Sequence, residues 1–223
     1  MATTDTTTRA ISVAADGVRL PGELALPTAA LGVVAFAHGS GSSRHSPRNQ
    51  AVAERLRAAG LGTVLIDLLS PEEERRDQVS AELRFDIAML ARRVAAVVDW
   101  LRAWPATRAL PVGLFGASTG AAAALVAAAE RAQAVAAVVS RGGRPDLAGP
   151  ALGAVRAPVL LVVGGADPEV LRLNEAAAER LSAPHRLRVV PGAGHLFAEP
   201  GALAAVADAA RDWFLAMGRA DTP

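Results

Sequence analysis

The chain has 223 residues, 52% of them apolar, which is enough to bury the core of one domain. Its 23 basic and 22 acidic residues nearly cancel, and it contains no cysteine. The composition therefore excludes disulfides, thiolate metal sites and a cysteine nucleophile. Because no block of like charges occurs, we expect neither a nucleic-acid nor a membrane partner.

The two ends of the chain are polar and differ from the rest. The first eight residues lack the basic start and apolar core of a signal peptide, and no apolar stretch predicts a membrane-spanning helix. We therefore expect a cytoplasmic protein with a single domain over 9–217, flanked by flexible tails at 1–8 and 218–223. The sequence leaves the oligomeric state open.

The predicted elements begin with an antiparallel hairpin. Residues 10–15 and 18–26 alternate in polarity around Asp16-Gly17, a dipeptide that favours a tight turn. The apolar run 31–37 predicts a strand buried on both faces, followed by a Gly- and Ser-rich loop over 38–46. The chain therefore enters the core of a sheet directly after the hairpin.

Strands and helices then alternate to the end of the chain. We predict strands at 63–66, 111–115, 135–140, 159–163 and 187–190, and helices at 47–59, 84–104, 118–131, 168–181 and 201–217. The charged stretch 70–82 is interpreted as a solvated loop that could act as a flap over the site. The alternation predicts a three-layer α/β/α sandwich with a mainly parallel sheet.

The most informative motif is Gly116-Ala-Ser-Thr-Gly120, a G-x-S-x-G pattern between a predicted strand and a predicted helix. This position predicts a sharp turn that exposes the hydroxyl of Ser118 at the positive end of a helix dipole. We therefore expect Ser118 to be a nucleophile. The alternative is that it only caps the helix.

A serine nucleophile needs a base, and His195 is the best candidate because it follows the last predicted strand in a glycine-rich loop. A capping or purely solvent-exposed role is the alternative for this residue. His38 and His45 precede the serine in the chain, and His185 precedes its strand rather than following it. We expect His195 to accept the proton of the serine.

The base in turn needs an acid that orients its ring. Asp167 follows the predicted strand 159–163 at the same edge of the sheet, although it could instead cap the next helix before Pro168. Asp146 and Asp67 also follow strands and remain alternatives. With Asp167, the order serine, aspartate, histidine is the one that α/β-hydrolases show.

Two backbone amides are expected to stabilise an oxyanion. The N–H of Thr119 follows the nucleophile, and the N–H of Ser40 lies in the loop after the strand 31–37. Phosphate binding by this glycine-rich loop is an alternative, but the loop lacks the lysine and the spacing of a P-loop. The segment is therefore interpreted as half of an oxyanion hole.

Several segments together resemble the dienelactone-hydrolase-like branch of the α/β-hydrolases. They are His38–Asn49, Asp67–Glu74, Arg84–Asp86, Gly116–Gly120 and Ser140–Asp146. The resemblance covers nearly the whole chain after the hairpin and implies an α/β-hydrolase fold without a large cap domain. Dienelactone hydrolases use a cysteine where this chain has Ser118, which points toward general carboxylic-ester hydrolysis rather than a particular lactone.

Four arginines are candidates for holding an anionic group of the substrate. We expect Arg44, Arg48, Arg141 and Arg144 all to belong to loops that leave the carboxyl ends of strands, where open α/β sheets bind ligands. We expect one or two of them to bind a carboxylate or phosphate. The alternative is that they form surface ion pairs with neighbours such as Glu72 to Glu74.

These residues predict a serine hydrolase that cleaves small esters or lactones through an acyl-enzyme, without a cofactor or metal. Transfer of the acyl group to peroxide, an alcohol or an amine would use the same residues. A noncatalytic scaffold that binds a ligand or a partner protein is a third possibility, because a fold does not determine a function.

Overall fold

The fold is an eight-stranded sheet with helices on both faces, and a computed structural model describes it over residues 5–217. The strands are β1 Thr6–Ala15, β2 Val18–Pro27, β3 Val33–Ala37, β4 Gly62–Ile66, β5 Val112–Ala117, β6 Val135–Arg141, β7 Val159–Gly164 and β8 His185–Val190. The helices are α1 Pro47–Ala58, α2 Pro71–Ser80, α3 Ile87–Ala103, α4 Thr119–Glu130, α5 Pro168–Ala178 and α6 Ala202–Ala216. Short 3₁₀ segments occupy Leu83–Phe85 and Pro145–Ala154.

The strand order is β1-β2-β4-β3-β5-β6-β7-β8. Strand β2 pairs antiparallel with β1 and β4, and every pairing from β4 through β3 to β8 is parallel. The expected α/β/α sandwich with an N-terminal antiparallel hairpin is confirmed. Parallel strands end at one edge of the sheet, so the loops after β3, β5, β6, β7 and β8 converge there.

Two apolar clusters hold the layers together. One lies between the sheet and the face covered by α3 and α4, and the other lies under α1 and α6. The central strands β3, β4 and β5 are buried at every position, as continuous apolar runs predict for a sheet covered on both faces. The site therefore stands on a rigid scaffold.

The expectation of a flexible tail over 1–8 was wrong in part. Strand β1 begins at Thr6 and pairs Thr6, Thr7 and Thr8 with β2, so the expected tail over 1–8 overlaps a strand. Residues 1–4 and the tail over 218–223 lie outside the described residues. Between residues 5 and 217 no connection holds a separate cap domain.

The expected loop over 70–82 is instead largely the helix α2. Ser70 accepts a hydrogen bond from the N–H of Glu73, and the carboxylate of Glu73 accepts one from the N–H of Ser70, which makes a capping box. The carboxylate of Asp77, near the other end of the helix, binds Arg84. Both ends of α2 are therefore fixed, which argues against a freely mobile flap.

Candidate active site

Ser118 occupies the turn between β5 and α4. Its backbone has φ 51° and ψ −123°, in the region that residues with a side chain rarely adopt. The side chain makes no capping hydrogen bond to the helix, so the capping alternative for Ser118 finds no support in the geometry. The turn instead presents a half-buried hydroxyl at the start of α4.

The two glycines of the motif are required by close backbone approach. A Cβ atom on Gly116 would lie 2.4 Å from the Cα of Ala121, and one on Gly120 would lie 2.3 Å from the carbonyl oxygen of Ala37. Both distances are far below van der Waals contact. The pattern thus reflects the packing of α4 against the ends of β3 and β5.

The loops after β7 and β8 bring Asp167 and His195 together. The Nδ1–H of His195 donates to Oδ2 of Asp167 over 2.8 Å, with the histidine side chain 42% exposed and the carboxylate 16% exposed. Although Asp167 occupies the position before α5, its side chain makes no capping hydrogen bond. Its carboxylate is therefore used to orient the imidazole.

The two competing acids have other partners. Asp67 accepts hydrogen bonds from the backbone N–H and the guanidinium of Arg44, and Asp146 binds both arms of the guanidinium of Arg144. Neither carboxylate contacts His195. Of the three acids that the sequence left open, Asp167 is the one that is hydrogen-bonded to His195.

Ser118 and His195 line one cleft with a volume of about 260 Å³. Its other lining residues are Gly39, Ser40, Ser42, Arg48, Ala117, Arg141, Gly142 and Leu196. Leu196, which sequence reasoning did not single out, is half exposed at the rim, and only its position beside His195 could have indicated it. A volume of this size suits a small substrate.

The residues that carry the two expected oxyanion donors, Ser40 and Thr119, are hydrogen-bonded to each other. Thr119 is the first residue of α4, so its N–H has no intrahelical acceptor. The N–H of Ser40, however, donates to the Thr119 hydroxyl over 3.0 Å. Of the two predicted donors, the amide of Ser40 is thus already engaged, and an incoming oxyanion would have to share it with Thr119 or displace that bond.

The four candidate arginines fall into two pairs. Arg44 and Arg144 form ion pairs with Asp67 and Asp146, rather than with the expected Glu72 to Glu74, so the expectation that they bind substrate is not supported. The hydrogen bond with Asp146 and its charge also raise the pKa of Arg144. Arg48 and Arg141 remain, and both line the cleft beside Ser118.

His38 has a structural role beside this site. It is buried, its Nε2 accepts the N–H of Leu68 over 3.0 Å, and its Nδ1–H donates to the carbonyl oxygen of Gly39 over 2.9 Å. These bonds tie the ends of β3 and β4 together and fix the start of the loop that carries Ser40. They require a neutral imidazole with its proton on Nδ1.

Burial lowers the pKa of His38 below its ordinary 6.5, although the bond to Gly39 and the charge of Asp67 act the other way. The unfolded chain therefore binds more protons than the folded one as pH falls below about 6.5. We expect the free energy of unfolding to fall over that window, by at most about 1.4 kcal/mol per pH unit from this group. Urea unfolding from pH 8 to pH 5 measures the slope.

The control for this prediction is the pair His38→Gln and His45→Gln. Since His45 is exposed, its replacement should keep the wild-type slope, whereas His38→Gln should lose the part that comes from His38. Equal slopes in all three proteins would contradict a buried neutral imidazole.

Among residues 5–217 no three His, Asp or Glu side chains are grouped to hold a metal ion. No helix found between these limits has the length and apolarity needed to cross a membrane.

A strand-turn-helix serine, a histidine-aspartate pair and the strand order together define an α/β-hydrolase fold.

The chain belongs to the dienelactone hydrolase family, whose model matches residues 20–219. A solved structure of a dienelactone hydrolase from Anabaena variabilis is 57% identical, covers 94% of this chain and 97% of its own, and superposes with a TM-score of 0.93. The expected resemblance is thereby confirmed.

More distant structures share the fold alone. Est1E from Butyrivibrio proteoclasticus is 17% identical with a TM-score of 0.78, and covers 93% of this chain and 98% of its own. A dienelactone hydrolase-like promiscuous phosphotriesterase, P91 from metagenomic libraries, is 20% identical with a TM-score of 0.76, and covers 94% of this chain and 97% of its own.

Two curated relatives come from strains of Mycobacterium tuberculosis and carry the name "putative phosphoribosyl transferase". Each is 57% identical over 206 residues, which is 92% of this chain but 45% of the relative. The chain thus spans about half the length of these relatives, and their name describes proteins about twice as long.

Proposed function

We infer that the chain hydrolyses small carboxylic esters or lactones through an acyl-enzyme on Ser118. The observation that carries this proposal is the cleft shared by Ser118 and His195. Ser118 has a strained backbone and makes no capping hydrogen bond, and His195 is hydrogen-bonded to Asp167. If Ser118 and Asp167 served as helix caps, each side chain would accept a hydrogen bond from an N–H of the helix that follows it. Neither side chain makes such a bond. The arrangement has the parts that activate a serine.

In the first step the Ser118 oxygen attacks the carbonyl carbon of the ester while Nε2 of His195 takes the hydroxyl proton. Asp167 accepts the Nδ1–H bond, which leaves Nε2 as the proton acceptor and stabilises the imidazolium that forms. The carbon–oxygen bond of the leaving alcohol then breaks, and His195 returns the proton to that oxygen. Water repeats the sequence on the acyl-enzyme and releases the acid.

The charge that develops on the carbonyl oxygen needs donors in place. We assign this role to the free N–H of Thr119 and to the N–H of Ser40, which an oxyanion would share with the Thr119 hydroxyl. A preorganised donor of this kind contributes roughly 3 kcal/mol to the transition state. The polar bond between Ser40 and Thr119 holds the two amides close before substrate arrives.

Hydrolysis is preferred over phosphoribosyl transfer for this chain. The relatives that bear the transferase name extend well beyond the matched 206 residues, whereas the matched dienelactone hydrolase from Anabaena variabilis is covered over 97% of its length. Residues 5–217 also fold as an α/β-hydrolase with the serine at its characteristic turn. Acyl transfer to another acceptor would use the same acyl-enzyme.

The test is intact-mass spectrometry after reaction with a fluorophosphonate. We expect one adduct on the wild type and on Ser118→Ala none, because only a serine activated by a base reacts readily. Ser42→Ala, which removes another serine of the same cleft, is the matched control and should keep the adduct. Release of p-nitrophenol from a short ester, measured in parallel without the fluorophosphonate, should occur in the proteins that form the adduct and be lost in Ser118→Ala.

A well-folded wild type that gives neither adduct nor turnover would overturn the proposal and favour a noncatalytic scaffold. Adduct formation together with faster release of p-nitrophenol on addition of an alcohol or peroxide would indicate that the enzyme transfers the acyl group to that acceptor rather than to water. Both outcomes are read from the same samples.

A further inference from the structure

Arg48 and Arg141 share the cleft with the proposed nucleophile. Arg141 is the last residue of β6, directly beside the turn, and its carbonyl oxygen accepts the N–H of Ser118 over 3.3 Å. Arg48 lies in the first turn of α1, which follows the loop that contains Ser40. Two arginines from separate elements thus line the cleft that contains Ser118.

Arg141 is buried without a partner. Its residue is only 8% exposed, and its Nε and Nη1 have no hydrogen-bond acceptor. Burial and the repulsion of Arg48 lower the pKa of Arg141 to about 10, so it still carries its charge at neutral pH. An unpaired buried charge is costly, and native structures rarely keep one without a use.

Arg48 does not relieve that cost. Its own Nε is buried and lacks an acceptor, and its charge adds to that of Arg141. Within residues 5–217 no carboxylate forms an ion pair with either guanidinium, in contrast to Arg44 and Arg144. The cleft therefore holds two positive charges that the described residues leave uncompensated.

We propose that the cleft takes esters that carry a phosphate group, held by Arg48 and Arg141 while the ester carbonyl meets Ser118. This substrate class rests on the proposed hydrolase function. A phosphate monoester supplies close to two negative charges at neutral pH and three acceptor oxygens, which match two guanidinium groups better than one carboxylate does. The phosphate remains intact in the reaction and serves only for recognition.

The first experiment compares three p-nitrophenyl esters of similar length: the pentanoate, the glutarate monoester and 4-(phosphonooxy)butanoate. We expect kcat/KM of the phosphorylated ester to exceed that of the pentanoate by about tenfold to a hundredfold, as one charge-assisted hydrogen bond or more would give. Arg141→Met and Arg48→Met should each lower this ratio at least about threefold. Arg144→Met, three residues beyond Arg141 but ion-paired with Asp146, should preserve it.

The second experiment does not depend on catalysis. Inorganic phosphate should bind Ser118→Ala protein in calorimetry, and the same protein with Arg141→Met added should bind it at least about tenfold more weakly. Phosphate binding without turnover of any ester would support the anion site while contradicting the proposed function. Turnover with equal kcat/KM for all three esters, or with preference for the glutarate, would overturn the phosphate class and leave the hydrolase function intact.

Discussion

Asparagine in place of Asp167 should lower kcat/KM for a p-nitrophenyl ester about 10⁴-fold, because the amide can no longer hold His195 in the required tautomer. The carboxylate accepts the Nδ1–H of His195 over 2.8 Å, and an amide could meet Nδ1 with its N–H₂ group instead. Nε2 would then carry the proton and could not accept one from Ser118. Steady-state kinetics on purified Asp167→Asn measures the loss.

The variant separates a catalytic role from a capping role. Asparagine is as good as aspartate at the start of a helix, so the free energy of unfolding should change by less than about 1 kcal/mol. Asp146→Asn is the matched control, because that carboxylate binds Arg144 rather than the histidine. Full activity of Asp167→Asn, or an equal loss in Asp146→Asn, would contradict the assignment of Asp167.

The sheet and the nucleophile turn could be predicted because both depend on local sequence. Continuous apolar runs predicted the buried strands β3 to β7. The two glycines of the motif are needed because Gly116 packs against Ala121 of α4 and Gly120 against the carbonyl oxygen of Ala37. The helix α2 could also have been recognised. Ser70-Pro-Glu-Glu73 is a capping-box sequence with proline at the first helical position, and the charges that followed obscured it.

The division of the four arginines could not be predicted because it depends on contacts distant in sequence. Arg44 is neutralised by Asp67, 23 residues away, and nothing local distinguishes it from Arg48. The bond between the N–H of Ser40 and the hydroxyl of Thr119 spans 79 residues. Only the Arg144–Asp146 pair, two residues apart, was available to inspection of the sequence.

One polar network connects the helix α2 with the loop that carries Ser40. The guanidinium of Arg93 binds both carboxylate oxygens of Glu73 over 2.7 and 2.8 Å and donates to the carbonyl oxygen of Leu68 over 2.6 Å. The N–H of Leu68 in turn donates to His38, whose Nδ1–H binds Gly39 beside Ser40. A change at Arg93 should therefore have its larger effect on stability and a smaller effect on the position of the loop that carries Ser40.

Methionine in place of Arg93 should lower the free energy of unfolding by about 2 to 4 kcal/mol, because it leaves Glu73 charged and partly buried without its partner. The Arg93 side chain is 2% exposed and that of Glu73 is 15% exposed. Burial alone would raise the pKa of Glu73, but the hydrogen bonds from Arg93 and Ser70 lower it below its ordinary 4.5. Urea unfolding at pH 7 measures the loss.

The double variant Arg93→Met/Glu73→Gln decides whether the charge pair is the cause. It should be more stable than Arg93→Met alone, because the unpaired carboxylate is gone, and the coupling between the two changes should exceed about 1 kcal/mol. The lowered pKa of Glu73 stabilises the fold above pH 4.5 and loses that effect as pH falls, so the wild type should lose more stability below pH 4.5 than the double variant. Strictly additive changes with equal acid sensitivity would show that Arg93 acts by packing and by its bond to Leu68, without a contribution from its pairing with Glu73.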